Sequence, residues 1–281
     1  MLVFKNIKEM QAYSRNHRSA GRTIGFVPTM GALHEGHLSL VRQSFRDNDI
    51  TLVSIFVNPT QFGPDEDFHA YPRNSEGDIQ LLSELSVHAV LLPVNEEMYP
   101  EGFSLSVQVG ETGNRLCGRS RPGHFDGVAT VVAKLFNIIC PDRAYVGQKD
   151  LQQTVVIKKL VREMNFDIDI IVCPVVREVN GLAMSSRNSY LSKEERRAAT
   201  VLNRALKHGR EMILIKEVSD TALIIKELEE IINSEDSARV DYVEIVDAEK
   251  LLPLDTIRSP VAICIAVYIG NTRLIDNIIL Q

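Results

Sequence analysis

The 281-residue chain lacks most of the short signatures that mark nucleotide and metal sites. No G-x-G-x-x-G follows a strand, which excludes the dinucleotide fingerprint, and no Walker A sequence occurs. The four cysteines, Cys117, Cys140, Cys173 and Cys264, contain no C-x-x-C pair and form no dense framework. They fit reduced, mostly buried thiols of a cytosolic protein. The N-terminus reaches Lys5 with no signal-peptide core, and the longest apolar run, Val261 to Ile269, has the length of a core strand rather than a membrane span. Net charge is −6, so no basic footprint offers itself to nucleic acid or to an anionic membrane. What remains is a soluble cytoplasmic protein of ordinary composition, long enough for one large domain or two modest ones.

The most informative stretch runs from Thr23 to Leu38. An apolar segment reads as a strand that Pro28 and Gly31 stop. A turn then carries His34 and His37 around Gly36. Leu38, Val41 and Phe45 follow with helical period, so His37 lies at a helix N-terminus, where free N–H groups and the helix dipole favour phosphate. Two imidazoles there add hydrogen-bond donors to the same anion. His34-Glu35-Gly36-His37 is one residue short of the zinc-protease motif, which needs histidines at i and i+4 of one helical face.

Ile50 to Val57 reads as a buried parallel strand and completes a βαβ unit; its end runs into Asn58-Pro59-Thr60-Gln61. Ligands bind beyond the carboxyl ends of strands in open α/β sheets, so Asn58 and Gln61 are expected to share a pocket with the histidines. A helix from Ser75, a strand at Ala89 to Leu92, a strongly apolar helix from Val128 to Ile139, a strand at Arg143 to Val146, a helix from Leu151 to Met164 and a strand at Ile168 to Val176 continue the alternation. The fold class is therefore α/β, a doubly wound parallel sheet. Beyond Arg177 a capping box at Ser192 to Glu195 predicts a long helix, Ile224 to Ile232 a second, and the stretches Val240 to Val246 and Val261 to Ile269 antiparallel strands. Residues 1–177 are expected to form the first domain and residues 178–281 a smaller α+β domain closing over the site.

Other residues fit the same chemistry. Lys149, in Gly147-Gln148-Lys149-Asp150 at a strand end, offers a point charge to a phosphate, and Asp150 a cap to the next helix. Gln153 lies one turn further on. Ser185-Ser186-Arg187 offers two hydroxyls and a guanidinium to a triphosphate. Arg121 suits a carboxylate or a phosphate, and Tyr71 lines a pocket or packs. Asp78 is either a carboxylate for Mg²⁺ or, in Ser75-x-x-Asp78, a helix-capping acid.

Pro28-Thr29-Met30-Gly31-Ala32-Leu33-His34-Glu35-Gly36-His37, Asn-Pro-Thr-Gln-Phe, Arg-Pro-Gly-His-Phe, Gly-Gln-Lys-Asp and Met-Ser-Ser-Arg-Asn occur in an order that resembles the pantothenate synthetase family, within the His-X-Gly-His nucleotidyltransferases, along essentially the whole chain. The resemblance implies a Rossmann-like nucleotidyltransferase domain, and joining of (R)-pantoate to β-alanine with cleavage of ATP to AMP and pyrophosphate through a pantoyl adenylate. It places Met30 to His37, Gly147 to Asp150, Val176 and Met184 to Arg187 against ATP, with His37 as proton donor. Gln61 and Gln153 match pantoate-holding positions; Asn58, Tyr71 and Arg121 look like further pocket residues. Mg²⁺ and a homodimer are also implied. A family acidic position near the metal is here Gly77, leaving Asp78 as the expected carboxylate. Two other classes stay open: a cytidylyltransferase-type enzyme, which would use the same His-X-Gly-His corner and release no AMP, and a non-catalytic nucleotide-binding or assembly protein.

Overall fold

The structure, a computed structural model, describes residues 1–64 and 66–281. The chain enters through two elements that the apolar pattern does not announce, strand β1 (Leu2–Phe4) and helix α1 (Ile7–Ser19). Asn6 caps α1 by accepting the N–H groups of Lys8 and Glu9, yet only Met10 and Ser14 are buried on it, so its period is faint. Next come β2 (Ile24–Thr29), α2 (Glu35–Asp47) and β3 (Ile50–Ile55). Both strands are buried almost throughout, as central parallel strands are. A 3-10 turn at Pro59–Gln61 precedes α3 (Ser75–Glu84), β4 (Ala89–Leu91), α4 (Asn95–Met98) and α5 (Cys117–Ser120). Then follow α6 (His124–Ile139), β5 (Arg143–Gly147), α7 (Leu151–Glu163) and β6 (Asp169–Cys173).

The six strands form one parallel sheet in the order β1-β4-β3-β2-β5-β6. From β2 the chain steps outward through β3 to β4, then returns to the other side of β2 for β5 and β6. Strand order therefore reverses between β2 and β5, and the loops that leave their carboxyl ends diverge to open a crevice. One face of the sheet packs through Phe26, Leu52 and Val146 against α1, α6 and α7, the other through Val27, Val53 and Tyr145 against α2 and α3.

The remainder has its own core and an antiparallel sheet. It comprises α8 (Lys193–Ala198), α9 (Val201–Leu214), α10 (Thr221–Asn233), β7 (Ala238–Asp247), β8 (Val261–Ile269) and β9 (Thr272–Leu280). The Ser192–Glu195 capping box is present, but the long helix expected after it is two helices broken at Ala199–Thr200. Strand β9 went unread in the sequence because Arg273, Asp276 and Asn277 interrupt its apolar run. Two other corrections are local. The cap of α3 is Asn74, which accepts the Gly77 N–H, so Ser75 is its first residue and Asp78 is no capping-box acid. Asp150 sits at the start of α7 without a side-chain capping bond and lies 3.8 Å from Lys149 instead. The second sheet meets the first part of the chain where Tyr242 of β7 and Ile275 of β9 pack against Val109, Cys117 of α5 and Phe125 of α6.

One close approach fixes the loop after β3. Helix α6 lies so near Pro59–Gln61 that a Cβ on Gly127 would stand 2.3 Å from the Thr60 carbonyl oxygen and 2.7 Å from the Gln61 nitrogen. Both are backbone atoms, so neither yields cheaply. Gly127→Ala is expected to cost about 1–3 kcal/mol in urea denaturation, and to lower turnover by displacing Gln61.

Candidate active site

The corner between β2 and α2 is held from below. Thr29 Oγ1 donates to the Ser54 carbonyl at 2.7 Å and accepts the Gly31 N–H at 3.2 Å. Asp78, buried in the first turn of α3, receives the Ala32 N–H on Oδ2 at 2.9 Å and the Leu33 N–H on Oδ1 at 2.7 Å. Two otherwise orphaned backbone donors are thereby satisfied, and the turn is pinned to a neighbouring helix.

The two histidines form a reciprocal cap on α2. His34 Nδ1 accepts the Gly36 N–H at 3.1 Å, and His37 Nδ1 accepts the His34 N–H at 3.3 Å. A ring nitrogen that accepts carries no proton, so each neutral imidazole has its hydrogen on Nε2 and presents it as a donor. The rings lie 4.1 Å apart between centroids. Burial, then the Lys149 ammonium, lowers the pKa of His34 to about 4; burial, then His34 and Lys149, lowers that of His37 to about 3. Gly36 is glycine for a steric reason: a Cβ there would meet the His34 ring at 2.8 Å.

A cavity of about 220 Å³ opens at this corner. Its wall brings together Pro28, Thr29, Met30, His34, Gly36 and His37 from the β2 end, Asn58, Gln61 and Tyr71 from beyond β3, and Arg121 before α6. Gly147, Lys149, Asp150 and Gln153 join from the β5 end, with Val176, Met184, Ser185, Ser186 and Arg187 closing the far side. A second cavity of about 710 Å³ adjoins it and shares Arg121, Lys149, Asp150, Gln153, Ser185 and Arg187. Ser186 Oγ donates to the Ala32 carbonyl at 3.1 Å, tying the Ser185–Arg187 loop to the histidine loop. The two guanidiniums already have partners. Arg187 Nε and Nη2 donate to Asp67 at 2.9 and 2.7 Å over the Tyr71 ring, and Arg121 Nε donates to Glu66 at 2.7 Å.

Several predicted residues stand elsewhere. Asp78 lies outside this cavity, and each of its oxygens accepts an N–H of the turn, which it clamps to α3. Among the described residues no group of three or more His, Cys, Asp or Glu side chains is placed to hold a metal ion. Glu35 faces outward and pairs with Arg42 on α2. Gly31, Ala32 and Leu33 build the turn without lining the cavity, and Gln148 turns to Asn277. Asn58 reaches the wall, but its amide is committed to Gln61, Gly127, Thr60 and Tyr99.

Two residues escaped the sequence reading. Asn277 of β9 donates to the carbonyls of Gln148 and Lys149 at 3.0 and 2.9 Å, so the second sheet grips the loop that carries the lysine. A polar pair, Asp276-Asn277, inside an apolar strand was the signal for it. His124 donates from Nδ1 to the Gln61 carbonyl at 2.7 Å and accepts Arg121 Nη1 on Nε2 at 3.1 Å; burial, then Arg121, lowers its pKa to about 4.

A family model described as pantoate-beta-alanine ligase matches residues 2–279. The pantothenate synthetase of Carboxydothermus hydrogenoformans is 54% identical over all of this chain and 99% of its own, and that of Caldicellulosiruptor bescii 52% identical over the same shares. Among solved structures, a pantothenate synthetase from Thermus thermophilus superposes with a TM-score of 0.94 at 45% identity, covering 99% of both chains. A pantoate-beta-alanine ligase from Francisella tularensis, complexed with beta-gamma ATP and beta-alanine, gives 0.82 at 36% identity, covering 99% of this chain and 97% of its own.

The depressed histidines set an acid limit. Unfolding restores an ordinary pKa of about 6.5, so below that pH the unfolded chain takes up protons that folded His34, His37 and His124 refuse. Stability is then undiminished above pH about 6.5 and falls as pH drops toward about 4. Urea denaturation at pH 7 and pH 5 is expected to show this fall, and a His34→Asn/His37→Asn double variant to lose less over the same interval. An equal loss in parent and variant refutes the neutral-imidazole assignment.

Proposed function

This chain belongs to the pantoate-beta-alanine ligase family, and from that membership we propose how its residues divide the chemistry. The chain forms pantothenate from pantoate and β-alanine in an ATP-dependent ligation. The observation that carries the assignment of roles is one shared space. Two neutral imidazole Nε2–H donors and the Lys149 ammonium stand at one end, and the Gln61 and Gln153 amides line the same wall.

A carboxylate is a poor electrophile, so activation comes first. A pantoate carboxylate oxygen attacks the α-phosphorus of ATP; the new P–O bond replaces the bond to the β-phosphate, and pyrophosphate leaves with its electron pair. His34, His37 and Lys149 offset charge on the phosphates from the β2 and β5 side, with Ser185, Ser186 and Arg187 on the other. His37 also directs its Nε2–H at the phosphates as a hydrogen-bond donor and keeps its proton. Gln61 and Gln153 hold pantoate, with Tyr71 and Arg121 beside them, and Met30, Gly147, Val176 and Met184 line the nucleotide side. The neutral β-alanine amine then attacks the acyl carbon; the new C–N bond replaces the acyl C–O bond, AMP leaves with that electron pair, and the proton lost by the nitrogen passes to the departing phosphate or to water. Residues 178–281 act as a smaller domain that covers the adenylate, because water would hydrolyse it. No covalent enzyme nucleophile is needed.

Mg²⁺ belongs in this scheme as an ion carried by the triphosphate, offsetting its negative charge. Asp150, whose half-exposed carboxylate lines both cavities, is the oxygen donor suited to it once Asp78 is committed to the turn. A homodimer fits the family resemblance and the exposed Leu2 and Val3 on the β1 edge. A cytoplasmic location fits four free thiols.

Labelled pyrophosphate is expected to exchange into ATP in the presence of pantoate and without β-alanine, with AMP rather than ADP as the product of full turnover; no exchange argues against a discrete adenylate. His37→Ala or Lys149→Ala is expected to lower kcat by about 10²–10³. A folded His37→Ala protein with normal kcat removes that residue from the mechanism.

A further inference from the structure

Gln61 is an amide with two chemically opposite ends, and pantoate meets whichever end faces the cavity. Nothing in the Gln61 side chain itself decides this. The decision comes from Asn58, whose Nδ2 donates to Gln61 Oε1 at 3.0 Å and to the Gly127 carbonyl at 3.2 Å. With Oε1 held by a donor, Gln61 turns its Nε2 the other way, 3.1 Å from Met30 Sδ at the cavity wall. An amide nitrogen has two hydrogens, so one is left for a ligand oxygen.

Asn58 faces the same ambiguity and is resolved from outside the site. Its Oδ1 accepts the Tyr99 hydroxyl at 2.6 Å and Thr60 Oγ1 at 3.0 Å. Three donors on one side, the two hydroxyls and the Thr60 N–H at 3.4 Å, and two carbonyl-type acceptors on the other leave a single satisfying orientation for a side chain that is 1% exposed. Tyr99 makes the shorter of the two bonds. Its ring is held independently, packed against Phe56 and Phe103 with the Lys134 ammonium over its face, and it does not line the cavity.

We propose that Tyr99 is a positioning residue for the pantoate subsite: its hydroxyl orients Asn58, and Asn58 orients Gln61 with the amide N–H toward the substrate. The proposal rests on the reading that Gln61 holds pantoate. It moves Asn58 from substrate contact to the middle of a three-residue chain that starts behind the wall.

Steady-state kinetics of the full chain test it, varying pantoate and ATP in turn with β-alanine saturating. Tyr99→Phe keeps the ring and loses only the hydroxyl. KM for pantoate is expected to rise about three- to tenfold, as for one lost buried hydrogen bond, with KM for ATP and the melting temperature unchanged. Asn58→Asp cannot donate to Gln61, so the amide must reverse, and a larger rise in KM for pantoate is expected. An unchanged KM for pantoate in Tyr99→Phe overturns the proposal. So does a parallel rise in the KM values of both substrates with a fall in melting temperature, which marks a structural role. Parent protein without pantoate-dependent turnover refutes the functional reading itself, a separate and recognisable result.

Discussion

Two backbone N–H groups at the start of α2 hold the lone pairs of two imidazoles, and the character of the site follows from that exchange. The helix needs acceptors for its first donors, and the usual Ser or Asp would supply one and stop there. Histidine supplies an acceptor on one nitrogen and a donor on the other. The cap is thus also the ligand-facing surface, and folding the helix sets the tautomers of both rings. Burial and the nearby lysine keep them uncharged, so they approach a polyanion as oriented dipoles.

The rest of the molecule serves to keep other loops in register with that corner. Strand order reverses between β2 and β5, so the lysine loop and the histidine loop leave adjacent strands. Asp78 fixes one from α3, and Asn277 fixes the other from the second sheet. Gln61 is gripped twice, by Asn58 at its side chain and by His124 at its carbonyl. Each clamp is a buried polar group hydrogen-bonded to other protein groups, which is the condition under which such groups rigidify a site.

Legibility in the sequence followed the range of the interaction. Elements whose evidence is local were readable: the strand-turn-helix around His34 and His37, the apolar face of α6 and the capping box at Ser192. Elements with little buried apolar surface were not, and β1 and α1 passed unnoticed for that reason. Asp78 was readable as an acid near a helix start, but its partners lie 45 and 46 residues away, and no spacing rule connects them. Asn277 meets Lys149 across 128 residues. Arg-Pro-Gly-His drew attention to its arginine, whereas the structure gives its histidine the Gln61 carbonyl.

The pairing of Arg187 with Asp67, and of Arg121 with Glu66, changes what an anion gains on entry. Neither guanidinium waits as a bare cation; an arriving phosphate competes with a carboxylate already in place and takes only the difference between two hydrogen-bonded states. Inorganic phosphate, with a single group to offer, gets little from such a trade. On the roles proposed above, a nucleoside triphosphate would recover the deficit by reaching the imidazoles, the lysine and the serine loop together. On that proposal, the internal ion pairs would favour a polyphosphate ester over the abundant small anions around it.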